Sequence, residues 1–188
     1  MNEEIMIRVK VLEKLTVEEY HSLGETGYGS DAVYDIERSG DGQHFSFSFS
    51  LRKLENPFQK KRSASAEDLE DYNLIIAQGH SLGAYRQEQL VGVLIAEERT
   101  WNNSLWIDYL EVNAEFHRLG FGAALISKVI EQARKDKFRL IMLETQNTNV
   151  PAILFYRRQG FEIDGLQFSL YDGEPGEQAV FMTYMLEP

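Results

Sequence analysis

His117-Arg118-Leu119-Gly120-Phe121-Gly122-Ala123 places two glycines one residue apart where a helical pattern begins. Without side chains at those positions a backbone can approach a ligand closely, and the first amides of a helix, which have no intrahelical acceptor, aim their N–H groups and the positive helix end outward. That arrangement suits an anion of diphosphate size, although a plain turn at a loop-helix join uses the same residues. A dinucleotide fingerprint does not fit, because it needs a third glycine in register, a parallel βαβ unit and an acid about twenty residues later. A second set follows: Leu143-Glu144-Thr145-Gln146, then Asn149, Ala152, Phe155, Tyr156, Gly160 and Phe161. The stretch Gly79-His80-Ser81-Leu82-Gly83 matches the Gly-x-Ser-x-Gly pattern of serine hydrolases. Its context fails, since that serine should stand between a strand and a helix, whereas residues 84–97 read as a hairpin. The histidines show no metal-ligand spacing, so no metal is expected.

The elements that must position these residues are orderly in the second half of the chain. Residues 82–85 and 90–97 are apolar runs separated by a polar turn, and residues 105–112 form a third run, giving an antiparallel meander. In that third run Leu105, Ile107, Tyr109 and Glu111 fall on one side and Trp106, Asp108, Leu110 and Val112 on the other. Apolar residues at helical spacing mark residues 121–136 as a helix. Residues 139–143 read as a buried strand, 151–159 as a helix opened by Pro151 and closed by Gly160, and 161–163 and 179–186 as two final strands joined by a Gly- and Pro-bearing loop.

The first half is less regular. Residues 5–12 read as a strand, and Thr16 followed by Glu18 and Glu19 reads as a capped helix start. Residues 22–43 are Gly- and Asp-rich with little periodicity. Phe45, Phe47 and Phe49 alternate with serines as in a half-buried strand, and residues 55–71, with Lys60, Lys61 and Arg62 before a run of acids, read as an exposed loop.

A chain of 188 residues with 43% hydrophobic side chains has room for one domain and a packed core. The net charge of −11 should repel phosphate backbones, which argues against nucleic acid and is compatible with a cationic partner. With no cysteine, disulfides and a thiol nucleophile are excluded. No basic leader or long apolar run stands out, so neither a membrane span nor a signal peptide is expected and the cytoplasm is the expected location.

The motifs, taken in order, resemble the GNAT acetyltransferase superfamily, and most closely its streptothricin acetyltransferase branch. The likeness rests on Gly120 and Gly122, the Met-Leu-Glu-Thr-Gln stretch at 142–146, Asn149, Ala152, Phe155-Tyr156, Gly160-Phe161, Leu170-Tyr171 and Ala179-Val180-Phe181. The resemblance implies a mixed α/β (α+β) GNAT fold, with a mostly antiparallel mixed sheet split into a V and helices on both faces. The likeness covers roughly residues 85–188, and it implies a single domain, 1–188, with residues 81–188 the acetyl-CoA-binding core and residues 1–80 a divergent part shaping the acceptor site.

Carried over by position, the resemblance makes acetyl-CoA the co-substrate. It would be held by Leu110, Glu111 and Val112 on a bulged strand, by the loop His117, Arg118, Leu119, Gly120, Phe121, Gly122 and Ala123, and by Asn149, Ala152, Phe155 and Tyr156. His117 departs from the family pattern, which has Arg or Gln there. Tyr156 stands where the family holds its general acid, and a phenol with pKa near 10 suits proton donation to a thiolate. The Leu110 N–H would face the thioester carbonyl, Asp108 is the first choice for taking the amine's proton with Glu111 and Glu144 after it, and Asp108, Glu144 and Tyr171 would face the acceptor. The expected reaction is acetyl transfer to a primary amine of streptothricin or a similar cationic small molecule. A peptide N-acetyltransferase and a non-catalytic acyl-CoA sensor are the alternatives, and the resemblance admits a homodimer.

Overall fold

A computed structural model of the chain describes residues 6–24, 26–62, 65–172 and 176–186. In chain order its elements are β1 (Ile7–Val11), α1 (Val17–Ser22), β2 (Thr26–Gly40), β3 (Phe45–Arg62), α2 (Ala66–Ile76), β4 (Leu82–Arg86), β5 (Gln89–Arg99), β6 (Ser104–Val112), α3 (Phe121–Lys135), β7 (Leu140–Gln146), α4 (Val150–Arg158), β8 (Glu162–Gln167) and β9 (Ala179–Met185). They group into two compact units. The first comprises the described residues of Met1–Thr26, Arg62–Leu143 and Thr183–Pro188, the second Gly27–Lys61 and Glu144–Met182.

In the first unit β1, β4, β5 and β6 pair antiparallel in that order, and β6 pairs parallel with the first half of β7. The strand β5 is central, and its near-continuous apolar run is buried from Leu90 to Ala96, as a strand covered on both faces requires. Helix α3 buries Phe121, Leu125, Ile126, Val129, Ile130 and Ala133, one stripe at helical spacing. Helix α1 starts on a capping box in which Thr16 and Glu19 satisfy each other's backbone N–H groups. Leu15, Tyr20 and Leu23 then join Leu69, Tyr72 and Ile76 of α2 against Val93, Ile95 and Tyr109. Mixed pairing with a mostly antiparallel sheet and flanking helices is the architecture that the family resemblance implied.

Where β5 meets β6 the register slips: Ile95 faces Tyr109 but Ala96 faces Ile107, so Asp108 is the extra residue of a β-bulge. The inside-outside alternation holds through Tyr109 and slips beyond it, with Leu110 and Glu111 half-buried and Val112 buried. On the other edge of β5 the Ala96 N–H donates to Ser81 Oγ at 3.1 Å, and Ser81 is fully buried. Ser81 therefore ties the sheet at the level of the bulge and is unavailable as a nucleophile. Ser81→Ala should cost about 1–3 kcal/mol in a denaturant melt, because a buried N–H loses its acceptor.

In the second unit β2 and β3 form a separate two-stranded sheet, while β7, β9 and β8 are neighbours in that order. Three expectations change here. Residues 22–43, without periodicity in sequence, contain the 15-residue β2. Its glycines obscure the pattern because the partner strand passes so close: a Cβ at Gly27, where φ is +125°, would lie 2.1 Å from the Lys60 carbonyl oxygen. The strand at Phe45 is real but not half-buried, since Phe45 and Phe47 are 54% and 50% exposed. A two-stranded ribbon leaves much of both faces to solvent, and its aromatics meet others only locally, as in Phe47–Phe168 and Tyr34–Phe49. Residues 55–71 are not an exposed loop: they complete β3 and begin α2, and residues 63–64 lie outside the described residues. The basic cluster reads as solvated because its partners are distant or still to come, Lys60 pairing with Glu177 and Arg62 with Asp68.

Candidate active site

The first unit holds the glycine loop and the bulged strand. Strand β6 ends at Val112, a short 3-10 turn over Ala114–Phe116 follows, and α3 begins at Phe121. Buried Phe116 packs edge-on against Phe121 at 5.7 Å and anchors the turn to the helix start. His117 Nε2 lies 2.6 Å from the Val112 carbonyl oxygen, so the ring ties the loop back to the strand end. Arg118 and Gly120 both take the left-handed conformation, with φ of +62° and +94°, which lets the chain turn sharply into the helix. No side chain caps α3, and Ala124 N–H to Gly120 O, 2.9 Å, starts its ladder. The amides of Phe121, Gly122 and Ala123 precede that bond, and they are the donors a helix start leaves for an anion. Leu119 lies on the surface beside them.

Leu110, Glu111 and Val112 pair with Leu94, Val93 and Gly92 on the β5 side. On the other side the ladder with β7 runs from Ser104↔Leu140 to Ile107↔Leu143, while β6 itself continues to Val112. Asp108, at the bulge, marks where this parallel ladder stops. Its side chain touches solvent, yet enough protein surrounds it that desolvation, with Glu97 adding to it, pushes the carboxyl above the usual range; Arg62 and Arg99 pull the other way. The Arg99 guanidinium carbon lies over the Trp106 ring, 3.9 Å from its centroid. A carboxyl with a raised folded-state pKa is most favourable to the fold below its unfolded pKa and costs stability as pH rises through the folded value. Asp108→Asn should therefore raise Tm at neutral pH, with the gain vanishing below the ordinary carboxylate range, as thermal melts across pH would show.

Next to the bulge lies a group that the sequence did not single out. Tyr109 stacks on Tyr72 at 5.0 Å, and the Arg62 guanidinium sits over both rings, 5.2 and 5.9 Å from their centroids. Burial pushes both phenols up.

The second unit holds the remaining candidates. Asn149 caps α4, its side-chain oxygen accepting from Ala152 N–H at 3.3 Å, with Pro151 in the first turn. Tyr156 is buried, and its ring packs edge-on against Phe155 and Phe161 at 5.2 and 5.6 Å. Gly160, at φ of +92°, turns the chain so that the Phe161 N–H reaches the Tyr156 carbonyl at 3.1 Å. The Tyr171 hydroxyl donates to Glu144 Oε1 and accepts from Gln146 Nε2 at 2.8 Å. Burial raises both the Glu144 carboxyl and the Tyr171 phenol, and the proximity of the carboxylate raises the phenol further. Lys60, Glu177 and Tyr28 join this group and were missed by sequence reasoning, since Lys60 and Glu177 lie 117 positions apart and neither stands in a motif.

The residues predicted from sequence thus fall into two sets: Asp108, Leu110, Glu111, Val112 and His117 to Ala123 in the first unit, Glu144, Asn149, Ala152, Phe155, Tyr156 and Tyr171 in the second. Among the described residues no group of three His, Asp or Glu side chains could hold a metal, and no helix is long and apolar enough to cross a membrane.

Residues 47–161 match the model of the Acetyltransferase (GNAT) family. The chain is 28% identical over 170 residues to a streptothricin acetyltransferase of Streptomyces lavendulae, covering 83% of each protein. The crystal structure of a nourseothricin acetyltransferase superposes with a TM-score of 0.74 at 26% identity, covering 95% of this chain and 98% of that one. A Bacillus anthracis str. Ames protein, crystallised in complex with acetyl coenzyme A, gives the same TM-score of 0.74 at 24% identity over 96% and 100% of the two chains, a likeness of fold.

Proposed function

Because the chain belongs to the GNAT acetyltransferase family and is an acetyltransferase of the kind that uses acetyl-CoA, we propose that it acetylates a primary amine of a cationic small molecule of the streptothricin class. The observation that carries the reading is the bulged β6 followed, after one short turn, by an uncapped, glycine-bearing helix start, whose main-chain N–H groups fit a diphosphate. The relatives named streptothricin and nourseothricin acetyltransferases support the acceptor class.

In this reading acetyl-CoA supplies the acetyl group activated as a thioester. The amides of 121–123 hold the diphosphate, and backbone groups of Leu110 to Val112 hold the arm that carries the thioester. His117 contributes by fixing the loop to Val112, and Arg118 supplies a positive charge beside the diphosphate in place of what the Arg or Gln side chain contributes at the His117 position elsewhere in the family. The acceptor nitrogen attacks the acetyl carbonyl; a C–N bond forms and the C–S bond breaks. Leu110 N–H donates to the carbonyl oxygen as it gains charge, a contribution of about 3 kcal/mol when a donor of this kind is preorganised. An aliphatic amine is protonated at neutral pH, so a base must free its lone pair, at a cost of about 4 kcal/mol for roughly three pK units. Asp108, directly or through water, takes that proton, and Tyr156 returns one to the departing sulfur.

Thiol release from acetyl-CoA, followed across streptothricin, polyamines and peptide N-termini, tests the function. Release with streptothricin or a polyamine, and little with peptides, is the expected result. Acetylation of peptides alone would move the acceptor class, and acetyl-CoA binding without transfer to any amine would replace the enzyme by a sensor.

A further inference from the structure

The second unit contains a cage already filled by an ammonium group. Lys60 Nζ donates to both carboxylate oxygens of Glu177 at 2.7 Å and stands 5.3 Å from the centre of the Tyr171 ring. A carboxylate on one side and an aromatic face on the other is how proteins recognise an alkylammonium. The two partners are not alike. Glu177 is 2% exposed and is held independently of the lysine: the Thr148 and Tyr28 hydroxyls, 2.6 Å apart, lie 3.2 and 3.3 Å from its Oε1, so that one donates to the carboxylate and the other to its neighbouring hydroxyl. The next residue is stitched in place by Gln178 N–H to Asn147 Oδ1 at 2.8 Å. Lys60 is the loose member, 37% exposed at the end of a four-carbon stem. A fixed, buried carboxylate is thus matched to a primary ammonium that could leave without disturbing the carboxylate.

We infer that the Glu177–Tyr171 cage is a specificity site for a second, non-reacting ammonium of the acceptor, and that Lys60 is an internal stand-in displaced when the acceptor binds. The inference rests on the proposed cationic acceptor and adds to it that the acceptor carries at least two amino groups. An amine clamped by a carboxylate is held in its protonated form and has no lone pair to offer, so the caged group is an anchor and not the nucleophile. Replacing one primary ammonium by another keeps the carboxylate paired throughout, which avoids the penalty of a bare buried charge.

Two variants in the full chain, Glu177→Gln and Lys60→Met, test it, with streptothricin and spermidine as acceptors. The readouts are acceptor KM, acetyl-CoA KM and the rise in Tm caused by acceptor. Glu177→Gln should raise acceptor KM about thirtyfold, the worth of a charge-assisted bond, with acetyl-CoA KM unchanged. Lys60→Met should lower acceptor KM by up to about tenfold, since the cage is no longer occupied most of the time by the lysine. It should also lower Tm without acceptor and enlarge the rise that acceptor causes. Lower Tm in both variants with acceptor KM unchanged would reduce the pair to a structural salt bridge and overturn the inference. Failure of the wild-type protein to release thiol with either acceptor would instead overturn the acceptor class on which the inference rests.

Discussion

Replacing Tyr156 by Phe should lower kcat by about two to three orders of magnitude while leaving the acetyl-CoA Kd within about twofold. The substitution removes one hydroxyl and keeps the ring, so the edge-on packing against Phe155 and Phe161 survives. On the proposed mechanism it also removes the proton that lets sulfur leave as a thiol instead of a thiolate, so the deficit should lie in the chemical step. Single-turnover rates with preformed enzyme–acetyl-CoA complex would isolate that step from product release. If Tyr156 only fills the core, the same variant should show a lower Tm and an unchanged single-turnover rate. That pair of results would remove the residue from the mechanism.

Gly122→Asp should weaken acetyl-CoA binding by about a hundredfold or more with no loss of Tm. Gly122 lies in the first turn of α3 and is absent from the positive-φ positions, so a side chain meets no backbone strain there. A carboxylate in the first turn of a helix is favourable to the fold by about 0.3–1 kcal/mol, because it satisfies the same amides and the same dipole that an anionic ligand would. It also sets a like charge against the diphosphate, a repulsion of several kcal/mol. The fold and the ligand therefore respond in opposite directions. A general structural defect would move them together, which makes the comparison of Tm with Kd decisive.

The sequence was most readable where pattern is local. Helix α3 declares itself by one apolar stripe, the meander β4–β5–β6 by apolar runs between turn residues, and α4 by Asn149, Pro151 and Gly160 at its ends. The bulge at Asp108 leaves no mark in residue type, because it is a shift of one strand against its neighbour, and the resemblance alone suggested it. Strands β2 and β3 were hard to read for a different reason. Among the described residues they pair as a separate two-stranded sheet, so they carry little of the inward-facing apolar alternation that a core imposes, and a glycine such as Gly27 serves close approach of the partner backbone. The Lys60–Glu177 pair and the His117–Val112 bond are products of tertiary structure, and the first joins positions 117 residues apart. In sequence Lys60 belongs to a charged run and Glu177 to a loop, and no local spacing links them.

The central claim is that main-chain N–H groups at the start of α3 bind the diphosphate of acetyl-CoA. Backbone amide NMR during a titration with coenzyme A addresses it residue by residue. The predicted result is that the amides of residues 118–123 move saturably, with the Kd found by calorimetry, and that Gly122→Asp abolishes those shifts. Saturable binding of coenzyme A that leaves these six amides unmoved, with the perturbed signals elsewhere in the chain, would contradict it.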